Sequence, residues 1–222
     1  MQIHPLSVLE FARLVEGAEL IQGSDRDLKV LRLADGRFLK YFRRKHLISR
    51  DLMVAAAIRF AQNARRLERL RIPTLKVLGL HRVGGSADTV AIYQPLAGTS
   101  LRDLLGSGQA DAGLLYRVGT FIAQLHGQGV YFRSLHPGNI VIDDAVFGLI
   151  DLLDMRFRQR PLTRWERRRN WLHFLRTRED RPFLTDALMA ALLAGYSAGS
   201  QLPERHLQRI ADHVQRAHAG AL

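Results

Sequence analysis

The side chains best suited to chemistry lie between Ser134 and Asp151. Asn139 follows Pro137-Gly138, a turn, and precedes the apolar run Ile140-Val141-Ile142; Asp151 ends a second run, Gly148-Leu149-Ile150. An amide oxygen and a carboxylate are hard oxygen ligands suited to Mg²⁺, which keeps several waters and bridges to phosphate. Projecting from the ends of adjacent strands, the two would face one cleft. The plainer alternative is that each caps a turn. His136 can accept a proton near pH 7. Ser134 offers a hydroxyl, which positions a partner but does not take a proton as a carboxylate does. Far upstream, Lys40 closes the strand candidate Phe38-Leu39-Lys40. It is either a point charge for phosphate or a lysine on an exposed strand edge.

The elements that must hold these residues divide near position 95. Residues 1–95 read as a β-rich lobe. Leu6 to Val15 suggests a short helix. Segments 29–33 and 37–42 flank an Asp35-Gly36 hairpin turn. Residues 51–71 form a helix with Met53, Ala57, Phe60, Ala64 and Leu67 on one face. On that helix Gln62 falls opposite the apolar face, flanked by Asn63 and Glu68. Strands are expected over 75–81 and 89–93. After the turn-rich bridge Gln94-Pro95-Leu96-Ala97-Gly98, residues 96–222 are mainly helical. Ser100 or Thr99 can cap a helix beginning near Leu101. Further helices are expected over 112–128, 163–176, 183–196 and 203–218, with a β-pair at 140–142 and 148–151.

The chain of 222 residues carries a formal charge of +12. Lys29, Lys40, Lys45 and Lys76 are the only lysines among 33 basic residues, so the remainder are arginine. Guanidinium forks pair bidentately with phosphate and carboxylate. A polyanionic partner is expected, such as a phosphorylated glycolipid, an anionic membrane surface or nucleic acid; the last lacks any recognised motif. The bland reading is a solvated, arginine-rich surface. There is no cysteine, which rules out disulfides and thiolate metal sites. The N-terminus has no basic n-region or long apolar core, and no run approaches ~18 apolar residues, so the expected location is cytoplasmic or peripheral at the inner membrane.

Taken in order, several segments resemble the bacterial lipopolysaccharide kinase family, whose members phosphorylate core sugars such as heptose or Kdo and include toluene-tolerance proteins. They are Phe38-Leu39-Lys40, Arg71-Ile72-Pro73-Thr74, Tyr93-Gln94-Pro95-Leu96-Ala97-Gly98, Leu135-His136-Pro137-Gly138-Asn139 and Ile150-Asp151. The resemblance spans about Val30 to Leu184. It implies an α+β, bilobal protein-kinase-like fold with a β-rich N-lobe and a helical C-lobe, binding ATP and Mg²⁺ between the lobes. Lys40 would meet the α- and β-phosphates, and Asn139 and Asp151 would hold the metal.

Against the protein-kinase pattern H-R-D-x-x-x-x-N, Phe132-Arg133-Ser134 stands at H-R-D and Asn139 at the Asn. Ser134 therefore replaces the carboxylate that accepts the substrate proton. His136 is either a substitute base, a γ-phosphate contact, or structural. Glu68, late in its helix, is the only carboxylate available to pair with Lys40; the alternative is a solvent-facing charge paired with a neighbouring arginine. Gly23-Ser24-Asp25-Arg26 is the one candidate for a phosphate-covering turn, or else a simple surface turn. Asp154 is either an auxiliary ligand or, as expected, a salt-bridge partner of Arg156. The run Arg156, Arg158, Arg160, Arg164, Arg167, Arg168 and Arg169 would face the acceptor or form a solvated basic face. Trp165 and Trp171, with Leu172 and Leu175, are expected to pack in the core rather than to form a sugar-stacking platform. Two functions follow: phosphotransfer to a lipopolysaccharide core sugar or its precursor, or a catalytically impaired pseudokinase that binds nucleotide or an envelope-assembly partner.

Overall fold

The computed structural model describes residues 2–24, 27–42, 50–86 and 88–220, without the side chains at 24, 27–28 and 50–54. The chain divides into two compact units, Met1–Leu96 and Ala97–Leu222. One is built on a sheet and the other is mainly helical, an α+β composition.

The first unit holds β1 (Ile3–Leu6), α1 (Val8–Leu14), β2 (Glu19–Ser24), β3 (Asp27–Arg32), β4 (Phe38–Phe42), α2 (Arg50–Arg69), β5 (Lys76–Val83) and β6 (Thr89–Gln94). Its sheet runs β1-β5-β6-β4-β3-β2, antiparallel except where β1 lies along β5. Alternation along β4 explains both layers. Leu39 joins Leu31, Leu33, Val83, Val90 and Ile92 in a core against Phe11, Leu14 and Val15 of α1. Phe42, on the other face, packs its ring on Phe60 of α2. The α2 stripe of Ala57, Phe60, Ala64 and Leu67 is buried as its spacing requires; Met53 lies outside the described side chains. Ser7 and Glu10 form a reciprocal capping box that starts α1.

The second unit adds β7 (Thr99–Ser100), α3 (Leu101–Gly106), α4 (Ala112–Gly127), β8 (Val130–Phe132), β9 (Ile140–Asp143), β10 (Val146–Leu149), β11 (Met155–Phe157), α5 (Arg164–Phe174), α6 (Asp186–Gly199) and α7 (Glu204–His218). Ser100 caps α3, its Oγ accepting the Asp103 N–H. Helices α4 and α6 cross with backbones almost touching. A Cβ on Gly119 would lie 2.0 Å from Leu192 O, and one on Gly195 1.8 Å from Tyr116 O. Trp171, Phe174 and Tyr196 fill the core beside this crossing, their rings edge to face.

Candidate active site

Three ties hold the segment 132–139. Its entry, β8, forms a two-stranded ribbon with β11. Asn170 of α5 grips the ribbon: Phe132 N–H donates to Asn170 Oδ1, and Asn170 Nδ2 donates to Phe132 O. Asn170 is in turn fixed by His126, whose Nε2 lies 3.2 Å from Asn170 Oδ1 and whose Nδ1 lies 3.0 Å from Tyr196 Oη. Arg167 Nη1 donates to the same Tyr196 oxygen at 3.1 Å. The Tyr196 hydroxyl is then left to donate to Nδ1, so His126 carries its proton on Nε2. Complete burial and the Arg167 charge bring the His126 pKa down to about 3, against the Asn170 hydrogen bond.

The second tie crosses the Pro137-Gly138-Asn139 turn. A Cβ on Gly138 would come within 3.1 Å of the Arg102 guanidinium. Buried Asp180 holds that guanidinium bidentately at 2.6 and 2.9 Å. The third tie is the backbone bond from Ile150 N to Asn139 O, 3.1 Å, which sets Asp151 immediately beyond Asn139. At Gly129, where φ is +76°, a Cβ would strike the carbonyls of Arg158 and Arg160 at 2.5 Å. Glycine alone lets α4 turn into β8 there.

Within this frame Asn139 is buried, and its Nδ2 donates to Ser134 O at 2.8 Å and to His136 Nε2 at 3.1 Å. A carbonyl partner fixes which way the amide faces. Among the described residues Oδ1 has no protein partner. His136 therefore spends its acceptor nitrogen on Asn139. Among the described residues its buried Nδ1 has no partner. Burial and Arg102 hold the ring below its ordinary pKa, with Asp180 and Asp151 opposing and Arg176 reinforcing, so it stays neutral near pH 7. Asp151 is exposed and sits in left-handed backbone, φ +54° and ψ +60°. An amide oxygen at Asn139 and a carboxylate at Asp151 are donor types that Mg²⁺ takes, its shell completed by water and phosphate oxygens. Among the described residues no group of three or more His, Asp or Glu offers a metal an all-protein cage.

Ser134 Oγ donates to Asp154 Oδ2 at 3.2 Å. This departs from the expected Asp154–Arg156 pair: among the described residues no ion pair joins those two. The β8–β11 register explains it, because Arg133 N–H donates to Asp154 O and brings residue 154 opposite 133, next to Ser134. A carboxylate thus stands one hydroxyl away from the position where the kinase pattern has its own.

In the first unit, Lys40 pairs with Val30 and Ala91 on a central strand, which removes the edge-strand reading. Its Nζ lies 5.5 Å over the Phe60 ring. Glu68 is exposed eight residues further along α2, about 12 Å on along the axis. Asn63, expected near the polar face, is buried one turn beyond Phe60. Gly23 and Ser24 end β2; Asp25 and Arg26 of the candidate phosphate turn lie outside the described residues.

The arginine run is not one surface. Arg167 is 3% exposed and bonded to Leu162 O, Tyr196 and Ser200. Arg158 and Arg160 share Glu166. Trp171 and Leu175 are core, as expected. Trp165 is not: it is 63% exposed, with Arg169 stacked at 5.2 Å, and Leu172 is also exposed. Both tryptophans stand in one arginine-rich stretch, so its composition does not separate the buried ring from the exposed one.

The sequence matches the lipopolysaccharide kinase (Kdo/WaaP) family over residues 17–196, and the chain belongs to that family. It is accordingly a kinase-like protein. No curated protein matches the chain. Among solved structures it is similar to one described as a divergent kinase lacking the glycine-rich loop that regulates membrane ultrastructure of the Toxoplasma parasitophorous vacuole. That chain is 15% identical; the match covers 95% of this chain and 67% of that one at a TM-score of 0.42. So loose a likeness says nothing about site or substrate. Among the described residues no helix is long and apolar enough to cross a membrane.

Proposed function

We propose that the chain is an ATP- and Mg²⁺-dependent phosphotransferase acting on a sugar hydroxyl of lipopolysaccharide core or a precursor. The observation that carries this reading is the locked amide of Asn139, whose Nδ2 bonds leave Oδ1 available on a residue tied by its backbone to Ile150, the neighbour of Asp151. A scaffold needs no such metal-facing pair. Bound Mg·ATP supplies the phosphoryl group and the charge that neutralises it. Lys40 adds a fixed ammonium for the phosphates. His136 is a positioning residue that orients Asn139 through Nε2. Ser134 Oγ accepts the acceptor hydroxyl's hydrogen bond while donating its own proton towards Asp154 Oδ2, so Asp154 is the final proton acceptor. Because phosphoryl transfer rests mainly on positioning and electrostatics, such an indirect base suffices.

A second reading, a pseudokinase module of envelope assembly working on the cytoplasmic side of the inner membrane, is favoured by one observation: Ser134 has no carboxylate of its own. Radiolabel transfer from ATP to purified core lipopolysaccharide decides between them. Transfer by the native protein, lost in Asp151→Asn, supports the enzyme. ATP binding with no transfer to core or to its precursors makes the chain a pseudokinase and overturns the proposal.

A further inference from the structure

The β8–β11 ribbon presents two chemically opposite faces. Register pairs Tyr131 with Arg156, and the ladder continues through Arg133 N–H to Asp154 O at 3.0 Å and Arg158 N–H to Gly129 O at 2.9 Å. Side chains alternate along each strand. Val130, Phe132 and Met155 therefore enter the core, while Tyr131, Arg133, Arg156 and Arg158 share the other face. The start of α5 lies against this second face and encloses a cleft of about 370 Å³, walled by Trp165, Glu166 and Arg169.

The charges in this cleft do not cancel. Four guanidiniums meet one carboxylate, and that carboxylate is already committed. Glu166 Oε1 accepts from Arg158 at 2.9 Å; its Oε2 accepts from Arg160 at 3.0 Å and from the Thr163 N–H and hydroxyl. Burial works against its charge, yet the Thr163 backbone and the Arg160, Thr163 and Arg158 side chains bring its pKa to about 2. Among the described residues no carboxylate lies within ion-pair distance of Arg133, Arg156 or Arg169. Asp154, on the same face, is turned to Ser134. The neighbouring His173, whose Nε2 meets Tyr131 Oη at 3.3 Å, feels the surplus. Burial first, then Arg176, Arg169 and Arg133, hold it neutral against Asp154. Trp165 contributes a broad apolar ring that is 63% exposed although three arginines surround it in the helix. On its other side a second cleft, about 340 Å³, is lined by Arg164, Arg168 and Arg209.

We infer that the cleft between the β8–β11 ribbon and α5 is a binding subsite for a phosphate monoester carried on a saccharide: the three guanidiniums without an ion pair, Arg169 among them stacked on Trp165, take the phosphate, and the remaining exposed surface of Trp165 takes the apolar face of the sugar ring. Guanidinium forks match phosphate oxygens bidentately, and an exposed indole offers the flat apolar surface that a pyranose CH face covers. In choosing a saccharide rather than a nucleic acid the inference rests on the phosphotransferase reading. It makes the acceptor a sugar that already bears a phosphate, held at a place distinct from Asn139 and Asp151.

The test reads binding without ATP and without transfer, so it fails independently of the enzyme assignment. Trp171 is fully buried, and Trp165 therefore reports the cleft by fluorescence. Titration with glucose 6-phosphate should give a saturable change that Trp165→Phe abolishes. Arg156→Ala and Arg169→Ala should each weaken binding about tenfold, with circular dichroism showing both folded. Glucose should give no change, and inorganic phosphate should bind more weakly than the sugar phosphate. Equal binding of inorganic phosphate would overturn the saccharide assignment. Tighter binding of a single-stranded oligonucleotide at equal phosphate concentration would replace it with nucleic acid. No saturable signal, or undiminished affinity in both arginine variants, would remove the site.

Discussion

Lowering the pH from 8 to 5 should destabilise this protein through His126 alone by about 2 kcal/mol. The imidazole is fully buried with a pKa of about 3, against 6.5 in an unfolded chain. The unfolded state therefore binds the proton more tightly, and stability falls as pH falls. The contribution is fully present above pH 6.5, is lost progressively below it, and is exhausted near pH 3. At pH 5 the unfolded imidazole is almost wholly protonated and the folded one is not. That difference of 1.5 pH units below the unfolded pKa, at ~1.4 kcal/mol per unit, gives the figure. Other histidines with lowered pKa values add to the same slope, so the assay is a comparison. Urea unfolding of the native protein and of His126→Gln should be followed from pH 8 to 5. The variant should begin less stable, having lost a ring bonded to Asn170 and Tyr196, and should then lose about 2 kcal/mol less on acidification. In the native protein the His126 ring resonance should not titrate down to pH 4.5. Parallel stability profiles, or a His126 resonance that moves near pH 6, would refute both the tautomer and the burial argument.

Asp154→Asn should cut sugar phosphorylation ~10²–10⁴-fold with ATP affinity unchanged by calorimetry, and adding Ser134→Asp to that variant should restore part of the rate. Gly119→Ala forces a methyl into Leu192 O and should cost ~3 kcal/mol, lowering the thermal midpoint by about 6–12 °C in a scanning calorimeter. Arg102→Ala frees the turn at Gly138 and leaves the Asp180 carboxylate buried without its partner. It should weaken Mg-dependent nucleotide binding, while binding measured with EDTA changes little.

Local signals in the sequence carried much of this. Asp35-Gly36 marked the β3–β4 hairpin, Ser100 marked the α3 cap, and the three- and four-residue spacing through Phe60 and Leu67 marked the buried face of α2. Pro137-Gly138-Asn139 and Ile150-Asp151 located the loop, because turn residues beside short apolar runs say where a strand begins. What escaped was non-local or too short. The strands β8 and β11 are three residues each, below the length at which alternation can be read. Asn170 reaches back 38 positions to Phe132, and Asp180 78 positions to Arg102. Neither leaves a periodic trace. Trp165 was misplaced because an aromatic residue set among arginines reads the same whether it faces the core or water.

The left-handed backbone at Asp151 has a consequence for how such a site can decay. Few residues with a Cβ occupy that region without strain; Asn and Asp do so most readily, and glycine has no Cβ to clash. Replacement by alanine mixes loss of the carboxylate with distortion of the turn that carries it, so Asn is the clean substitution. By the same reasoning, a descendant of this chain that gave up this carboxylate would keep a well-formed loop by passing through Asn or Gly. The shape of the peptide, as much as the chemistry of the carboxylate, limits which residues can follow Ile150.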